Sequence, residues 1–251
     1  MILVTNDDGI YAPGIKALWR AMSEIGDVTV VAPENEMSAV GHAITLSDPL
    51  RVDEIKRSDG FTGYAVGGTP ADCVKIGVQS ILSESPDIVI SGINLGENTG
   101  TSIIYSGTVS AATEGTMLDI PSVAISLDTT SNPDFTGAMT AAKTVVKKVL
   151  EKGLPKKTLL NVNVPAINAS EIKGIRITEQ GNVLYRDTFE RREDPRGKVY
   201  YWMTGEKLDP DTESEKDHKT VSEGYISVTP IHYRLTNHEF MDELKSWGLH
   251  G

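Results

Sequence analysis

Cysteine is scarce in this chain, and its scarcity limits both chemistry and compartment. Cys73 is the single cysteine among 251 residues, so an intramolecular disulfide is excluded. It falls inside a predicted helix, where the role of a small buried hydrophobe is favoured over that of a nucleophile. A chain without disulfides fits a reducing compartment, and we expect a cytoplasmic protein.

Long apolar runs and basic residues are also in short supply. No apolar run approaches the roughly 18 residues that a membrane helix needs, so we expect no membrane partner. Lys and Arg number 24 against 35 Asp and Glu, which gives a net charge of −11. Such a surface disfavours nucleic-acid polymers, whose binding requires cations. A small phosphorylated ligand remains compatible, because one bound cation reverses the local field.

The signature motifs of several enzyme classes are missing. There is no G-x-S-x-G elbow, no P-loop lysine, and no G-x-G-x-x-G after the first predicted strand. Zinc is disfavoured because no two histidines stand at ligand spacing. The histidines, each expected to be a surface or core residue, are His42, His218, His232, His238 and His250.

What is present is an alternation of short apolar strands and amphipathic helices. Strands separated by helices predict a Rossmann-like, doubly wound, mostly parallel α/β sheet, which we assign to residues 1–171 as the catalytic core. The predicted strands are 2–5, 28–32, 87–91, 122–126 and 159–164. The predicted helices are 13–22, one starting at 69, 110–118 and 134–152.

Residues 172–230 lose this regularity and carry aromatic side chains amid dense charge. They predict antiparallel β-ribbon extensions, which need a partner surface because an isolated hairpin is only marginally stable. We therefore expect an oligomerisation region and a homodimer or a dimer of dimers. Within it, residues 209–219 are predicted to be an acidic loop. Residues 231–251 are predicted to be a C-terminal helical tail that packs on the core or on a partner.

Two adjacent carboxylates, Asp7 and Asp8, directly follow the first predicted strand, between Asn6 and Gly9. In a parallel sheet the carboxyl ends of the strands are where ligands bind. Two neighbouring negative charges there are unfavourable unless a cation relieves their repulsion. The pair therefore indicates a divalent metal bound by oxygen ligands, and a solvated turn is the alternative.

Three further loops could carry chemistry at the same edge. Ser38 offers a hydroxyl oxygen, although taken alone it is better explained as a turn or cap residue. Asn94 offers a neutral carbonyl oxygen and Asn98 could hold an anion, in a glycine-rich loop that permits close approach of a ligand. Residues 106–108 lead into a helix, whose N-terminus suits an anion, with helix capping as the alternative. Together these loops suit metal-assisted hydrolysis of a phosphate ester.

Longer motifs extend nearly from end to end of the chain. They comprise Ile2-Leu3-Val4-Thr5-Asn6-Asp7-Asp8-Gly9, Ala12-Pro13-Gly14-Ile15, Val31-Ala32-Pro33, Gly68-Thr69-Pro70-Ala71-Asp72-Cys73-Val74, Ser91-Gly92-Ile93-Asn94, Tyr105-Ser106-Gly107-Thr108-Val109, Asn161-Val162-Asn163-Val164-Pro165, Asp194-Pro195-Arg196-Gly197 and Glu223-Gly224-Tyr225-Ile226-Ser227-Val228-Thr229-Pro230. In this order they resemble SurE, the survival protein E family of metal-dependent nucleoside monophosphate phosphatases.

The resemblance implies a site and an activity. It implies one Mg²⁺ or Mn²⁺ per subunit, held by Asp7, Asp8, Ser38 and Asn94. It also implies a phosphate environment made of Asn98, Ser106, Gly107 and Thr108, and C-terminal ribbons that exchange between subunits. The substrate would be a nucleoside 5′-monophosphate, with the 3′-monophosphate, the base and polyphosphate left open. Asp7 or Asp8 would orient or deprotonate the attacking water.

The chain departs from similar sequences at two positions. The glycine-rich loop that carries Asn94 and Asn98, here called the asparagine loop, often contains Gly-Pro-Asn in relatives. Glu97 replaces the proline in this chain, and an extra carboxylate near the phosphate could alter substrate preference. Some relatives have histidine where Tyr105 stands, so a histidine acid for the leaving group is not assumed.

Two other classes of protein are compatible with an acidic pair after the first strand. A phosphoacceptor signalling domain uses such a pair to bind Mg²⁺, but it needs a nucleophilic aspartate at the end of its third parallel strand. Ser91 and Asn94 follow that strand in this chain. A non-catalytic nucleotide-binding protein, with the ribbon as its interaction surface, is the third interpretation.

Overall fold

The computed structural model describes residues 1–249, so the last two residues of the predicted tail, His250 and Gly251, lie outside it. The elements are β1 Ile2–Thr5, α1 Pro13–Ser23, β2 Val28–Pro33, β3 Val52–Lys56, β4 Thr62–Val66, α2 Pro70–Ile76, β5 Ile88–Leu95, α3 Gly107–Met117, β6 Ser122–Asp128, α4 Thr136–Lys152, β7 Thr158–Pro165, β8 Ile175–Ile177, β9 Leu184–Glu193, β10 Val199–Leu208, α5 Asp217–Ser222, β11 Ile226–His232 and α6 His238–Ser246.

A central sheet of nine strands in the order β3-β4-β2-β1-β5-β6-β7-β11-β8 organises the molecule. The six strands from β4 to β7 run parallel to one another. Within this sheet β3 pairs antiparallel with β4 and β11 pairs antiparallel with β7, while β8 runs parallel to β11. A separate two-stranded antiparallel ribbon is formed by β9 and β10. The predicted fold class is confirmed.

Helices cover both faces of the sheet, and β1 shows why. Its Ile2 and Val4 belong to the apolar cluster that includes α1 and α4. Leu3, on the opposite face, belongs to the cluster formed with α2. All three side chains are essentially inaccessible to solvent. Because both faces are buried, such a strand is apolar throughout rather than alternating.

Local sequence explains where the helices begin and end. Thr69 and Asp72 form a capping box at the start of α2, and α4 ends at Gly153, whose φ is 73°. Helix α3 begins earlier than predicted because the Ser106 side chain caps it, accepting a bond from the Val109 amide at 3.1 Å. Strand β5 continues past Ser91 with a register shift, so part of the predicted glycine-rich loop is strand.

The region 172–230 differs from its prediction. The ribbon is limited to β9 and β10, while β8 and β11 join the central sheet and α5 is a helix. The predicted acidic loop 209–219 is partly buried, with Asp211, Asp217 and His218 all less than one-tenth exposed. Strands β3 and β4 were not predicted. The three-part division of the chain stays a prediction.

Membrane insertion through a helix finds no support in the structure. Among residues 1–249 no helix is both long and apolar enough to cross a bilayer.

Candidate active site

Asp7 lies just after the end of β1 and is 4% exposed. The Thr108 hydroxyl donates a hydrogen bond to Asp7 Oδ1 at 2.5 Å, and the Thr108 backbone amide also faces the carboxylate. These contacts lower the pKa of Asp7, but burial outweighs them and the pKa is raised above its usual value. Asp7 is therefore held in place and disfavoured as a bare anion.

Asp8 is less enclosed than Asp7, and its pKa is also raised. Burial and then the charge of Asp7 raise the pKa of Asp8 to about 6, while the Leu95 backbone amide opposes that rise. Among the described residues, Asp8 Oδ2 is buried without a hydrogen-bond partner. Asn6 Oδ1, one residue before the pair, is in the same condition. Buried oxygens without partners are costly, so this edge favours a cation.

Ser38 belongs to a segment that packs against the acidic pair. The Met37 amide donates to the Asp7 carbonyl oxygen at 2.7 Å, which fixes the segment beside β1. The Ser38 hydroxyl itself is exposed and donates to Glu36 Oε1 at 2.7 Å. The charge of Glu36 also raises the pKa of Asp7 and of Asp8. The structure thus brings Ser38 to this edge with its hydroxyl turned toward Glu36.

Asn94 lies near the end of β5, next to the residue whose amide faces Asp8. Its side-chain N–H donates to the Gly96 carbonyl oxygen at 2.8 Å. That bond uses the nitrogen, so the carboxamide oxygen is the atom that could bind a cation.

Asn98 is buried in a network of polar side chains from β6 and β7. Its amide nitrogen donates to Asn163 Oδ1 at 2.8 Å, and its side chain donates to Ser126 Oγ at 2.8 Å. Its carbonyl oxygen accepts from Asn161 at 2.8 Å and from Asn163 at 3.0 Å. The loop is therefore fixed to the sheet through Asn98, which leaves its anion-binding role a prediction.

The predicted phosphate turn meets Asp7 at the N-terminus of α3. Ser106 caps the helix, and Thr108 is bonded to Asp7. A Cβ atom on Gly107 would lie 2.7 Å from the Asp7 Cβ and 2.9 Å from its Oδ2. Only glycine permits this approach, which places the positive end of the helix dipole against the carboxylate.

The types of donor atom at this edge are those that suit a hard divalent cation. Carboxylate, hydroxyl and carboxamide oxygens are the ligands such ions take. A bound positive charge would give the unpartnered Asp8 Oδ2 a partner. It would also lower the raised pKa of both aspartates.

Sequence reasoning missed two contributors to the site. Glu36 was given no role, and no local signal distinguishes it from any exposed acid. Asn161 and Asn163 were quoted only as part of a motif. Two asparagines alternating within an apolar strand put both side chains on one face, and that pattern could have indicated the network around Asn98.

A second group of ligand-type side chains lies at the base of the ribbon. Asp209, Asp211 and His218 offer atoms within 4.8 Å of one another. These groups already have partners in the chain: Asp209 binds Lys219 at 2.5 Å and His218 Nε2 at 2.9 Å, and Asp211 accepts two bonds from Asn182. The cluster is satisfied as it stands.

Asp217, beside that cluster, joins three separate segments. Its fully buried carboxylate accepts N–H groups from Gly100 at 2.9 Å, Gly181 at 3.0 Å and His218 at 2.8 Å. Thr101 adds a bond from its hydroxyl to the Val183 carbonyl oxygen at 2.7 Å. The loop that follows Asn98 is thereby attached to the start of the ribbon.

Comparisons with known proteins agree with this architecture. A family model described as survival protein SurE matches residues 2–187. A protein of Syntrophobacter fumaroxidans named 5′-nucleotidase SurE is 50% identical over 248 residues, covering 99% of each chain. One of Thermosipho melanesiensis with the same name is 50% identical over 247 residues, covering 97% of this chain and 96% of that one.

The solved structure of the SurE protein from Aquifex aeolicus is 44% identical, with a TM-score of 0.85, and covers 98% of this chain and 99% of that one. Sequence and structure therefore agree over nearly the whole length. The chain belongs to the SurE family.

Proposed function

We propose that this protein is a metal-dependent 5′-nucleotidase that hydrolyses nucleoside monophosphates to a nucleoside and inorganic phosphate. The observation that carries the proposal is the acidic pair at the carboxyl edge of the sheet, in which Asp7 is buried against the N-terminus of α3 and Asp8 is half-buried beside it. The name 5′-nucleotidase SurE, borne by relatives of about half identity, supports it.

We assign the cation, one Mg²⁺ or Mn²⁺ per subunit, to Asp7, Asp8, Ser38 and Asn94. Both ions accept hard oxygen donors. To serve as a ligand, Ser38 would turn its hydroxyl from Glu36 toward the pair. When bound, the cation would activate a water molecule and neutralise charge on the phosphoryl oxygens.

The protein's own groups then act on water and phosphate. Thr108 fixes the orientation of Asp7. The unpartnered Oδ2 of Asp8 is the atom available to orient or deprotonate the attacking water. We assign the non-bridging phosphate oxygens to Asn98 and to residues 106–108, where the helix N-terminus favours an anion.

We also propose that the ribbon and the tail join copies of the chain in a homodimer or a dimer of dimers, acting in the cytoplasm. Phe189, Met203 and Tyr201 are each more than half exposed on the ribbon. Helix α6 buries none of its residues within the single chain, which favours a partner as the surface for the predicted tail. The single, buried Cys73 suits a reducing compartment.

A chelator experiment tests the activity. Protein stripped with a chelator is supplied with each divalent ion and with nucleoside 5′- and 3′-monophosphates, and released phosphate is measured. Metal-restored turnover supports the proposal. A stable phosphoprotein would instead support a signalling domain, although β5 ends in Asn94 and Leu95 rather than in an aspartate. Binding without turnover would support a non-catalytic nucleotide-binding protein.

A further inference from the structure

Lys207, near the end of β10, reaches from the ribbon to the asparagine loop. Its Nζ lies 2.5 Å from Glu97 Oε1, and the Glu97 side chain is 19% exposed. The other oxygen, Glu97 Oε2, accepts a bond from the Thr99 hydroxyl at 3.0 Å. Glu97 is thus held in place, with a ribbon cation against its carboxylate.

A second carboxylate lies close to this ion pair. Asp128 ends β6, and burial followed by the charge of Glu97 raises its pKa to about 6, with Lys207 acting in the opposite direction. The Gly96 amide, which donates to the Leu127 carbonyl oxygen at 2.9 Å, ties the loop to the end of β6. Near neutral pH Glu97, Asp128 and Lys207 therefore place two carboxylates and one ammonium group at this corner.

The corner adjoins the proposed phosphate environment. Asn98 follows Glu97 directly, and its backbone is fixed to Asn161 and Asn163. A phosphate bound at Asn98 would lie within about 10 Å of the Glu97 carboxylate, about one Debye length at moderate salt. An uncompensated carboxylate there would repel a dianion, in a chain whose net charge is already −11.

We propose that Lys207 neutralises Glu97 beside the asparagine loop, so that the ribbon sets the affinity of the site for the phosphate dianion of the nucleotide. The proposal rests on the proposed function. Lys207 acts through Glu97 and does not touch the reacting atoms, so it is a specificity-determining residue rather than a catalytic one.

Charge-removal variants form the test: Lys207→Met, Glu97→Gln and the double variant, each loaded with Mn²⁺ and assayed with adenosine 5′-monophosphate. Lys207→Met exposes the Glu97 charge, so at low ionic strength KM should rise roughly three- to fourfold, the effect of one charge on a dianion near 10 Å in a largely aqueous medium, with kcat within twofold. The double variant removes both charges, so KM should return to within twofold of wild type.

Lys198→Met is the matched control, because Lys198 is an exposed lysine on the turn between β9 and β10. It changes the net charge equally and should leave KM unchanged. Inhibition by inorganic phosphate should follow the KM pattern, whereas inhibition by neutral adenosine should be equal in all variants. If the ion pair had a purely structural role, its loss would weaken inhibition by phosphate and by adenosine alike.

An unchanged KM in Lys207→Met overturns the proposal, and so does a double variant as impaired as Lys207→Met. A wild-type protein that releases no phosphate with either metal overturns the proposed function instead. Calorimetric binding of inorganic phosphate to the same metal-loaded variants then decides the role of Lys207, since that measurement needs no turnover. The proposed role of Lys207 would be overturned if wild type bound no phosphate, or if wild type and Lys207→Met bound phosphate equally well.

Discussion

At the scale of single residues, the two adjacent aspartates occupy different environments. Asp7 is bonded to Thr108 and enclosed by α3, whereas Asp8 keeps one buried oxygen without a partner. A carboxylate already oriented by the protein suits a fixed ligand. One with an unpartnered oxygen can still accept a hydrogen bond, from a water molecule or a ligand that enters the site. In the proposed mechanism Asp7 therefore serves mainly as a metal ligand, and Asp8 also acts on the attacking water.

Replacing either aspartate by asparagine should reduce kcat by about a hundredfold or more, since both metal binding and action on water would suffer. Circular dichroism and thermal unfolding should show an intact fold, because an amide preserves the shape. Asp27→Asn is the control, an exposed aspartate just before β2 and away from the pair. Near-normal turnover by an Asp7→Asn variant would contradict the assignment.

The stability of the metal-free protein should depend on pH through Asp8. Its folded-state pKa of about 6 lies above the ordinary value of 3.8, so the folded protein binds a proton at Asp8 more tightly than the unfolded chain does. The stability that this proton binding adds is fully present below about pH 3.8 and is lost as pH rises through 6. Thermal midpoints in chelator should therefore fall between pH 5 and 7 more steeply in wild type than in Asp8→Asn. Mn²⁺ should raise the wild-type midpoint more at pH 7 than at pH 5. Parallel curves for the two proteins would refute this linkage.

Part of the site could be predicted from sequence because the information is local. Asp7 and Asp8 follow a strand directly, and Ser106 precedes a helix, so their neighbours in the chain fix their positions. The bond from Asn98 to Asn163 spans 65 residues and depends on how β7 pairs with β6. The Ser38 bond to Glu36 depends on a side-chain rotamer, which no sequence pattern specifies.

At the scale of elements, α3 and β1 meet through Gly107. A methyl group there would collide with Asp7 at 2.7 Å. Gly107→Ala should therefore lower kcat severely and cost about 1–3 kcal/mol of stability, the usual penalty for overpacking. Gly26→Ala is the control, because the nearest heavy atom would lie 3.9 Å away. If Gly107→Ala retains normal kcat, the position of Asp7 is less restricted than its contacts indicate.

Elements were predictable where their pattern was long and regular. The amphipathic helix α4 and the apolar strands β1, β2, β6 and β7 follow their sequence periodicity. Strand β3, by contrast, is an exposed edge strand with almost no buried side chain. Strand β8 has three residues and α5 has six. Such short or exposed elements bury too few apolar side chains to produce a recognisable hydrophobic periodicity in the sequence.

At the scale of the whole molecule, the ribbon leaves an apolar face uncovered. Phe189 and Met203 lie directly opposite each other on β9 and β10, and Tyr201 lies on the same face. Contiguous exposed apolar groups of this kind mark an interaction surface. Light scattering after size exclusion should therefore report a dimer or a larger assembly.

Met203→Lys should shift that assembly toward monomer, because a charge would be buried in the contact. Thr204→Lys, on the opposite face of the same strand, is the matched control and should leave the assembly intact. A wild-type protein that is monomeric across the accessible concentration range would contradict the proposed role of the ribbon.

The carboxylate of Asp217 has a consequence for how the molecule opens. It is the shared acceptor for amides that stand far apart in the chain, at Gly100, Gly181 and His218. A displacement of this carboxylate removes the acceptor of all three amides at once. They should therefore exchange together, as one opening unit. The base of the ribbon and the loop after Asn98 would then share a single opening free energy, so a partner that holds the ribbon would also slow exchange in the loop.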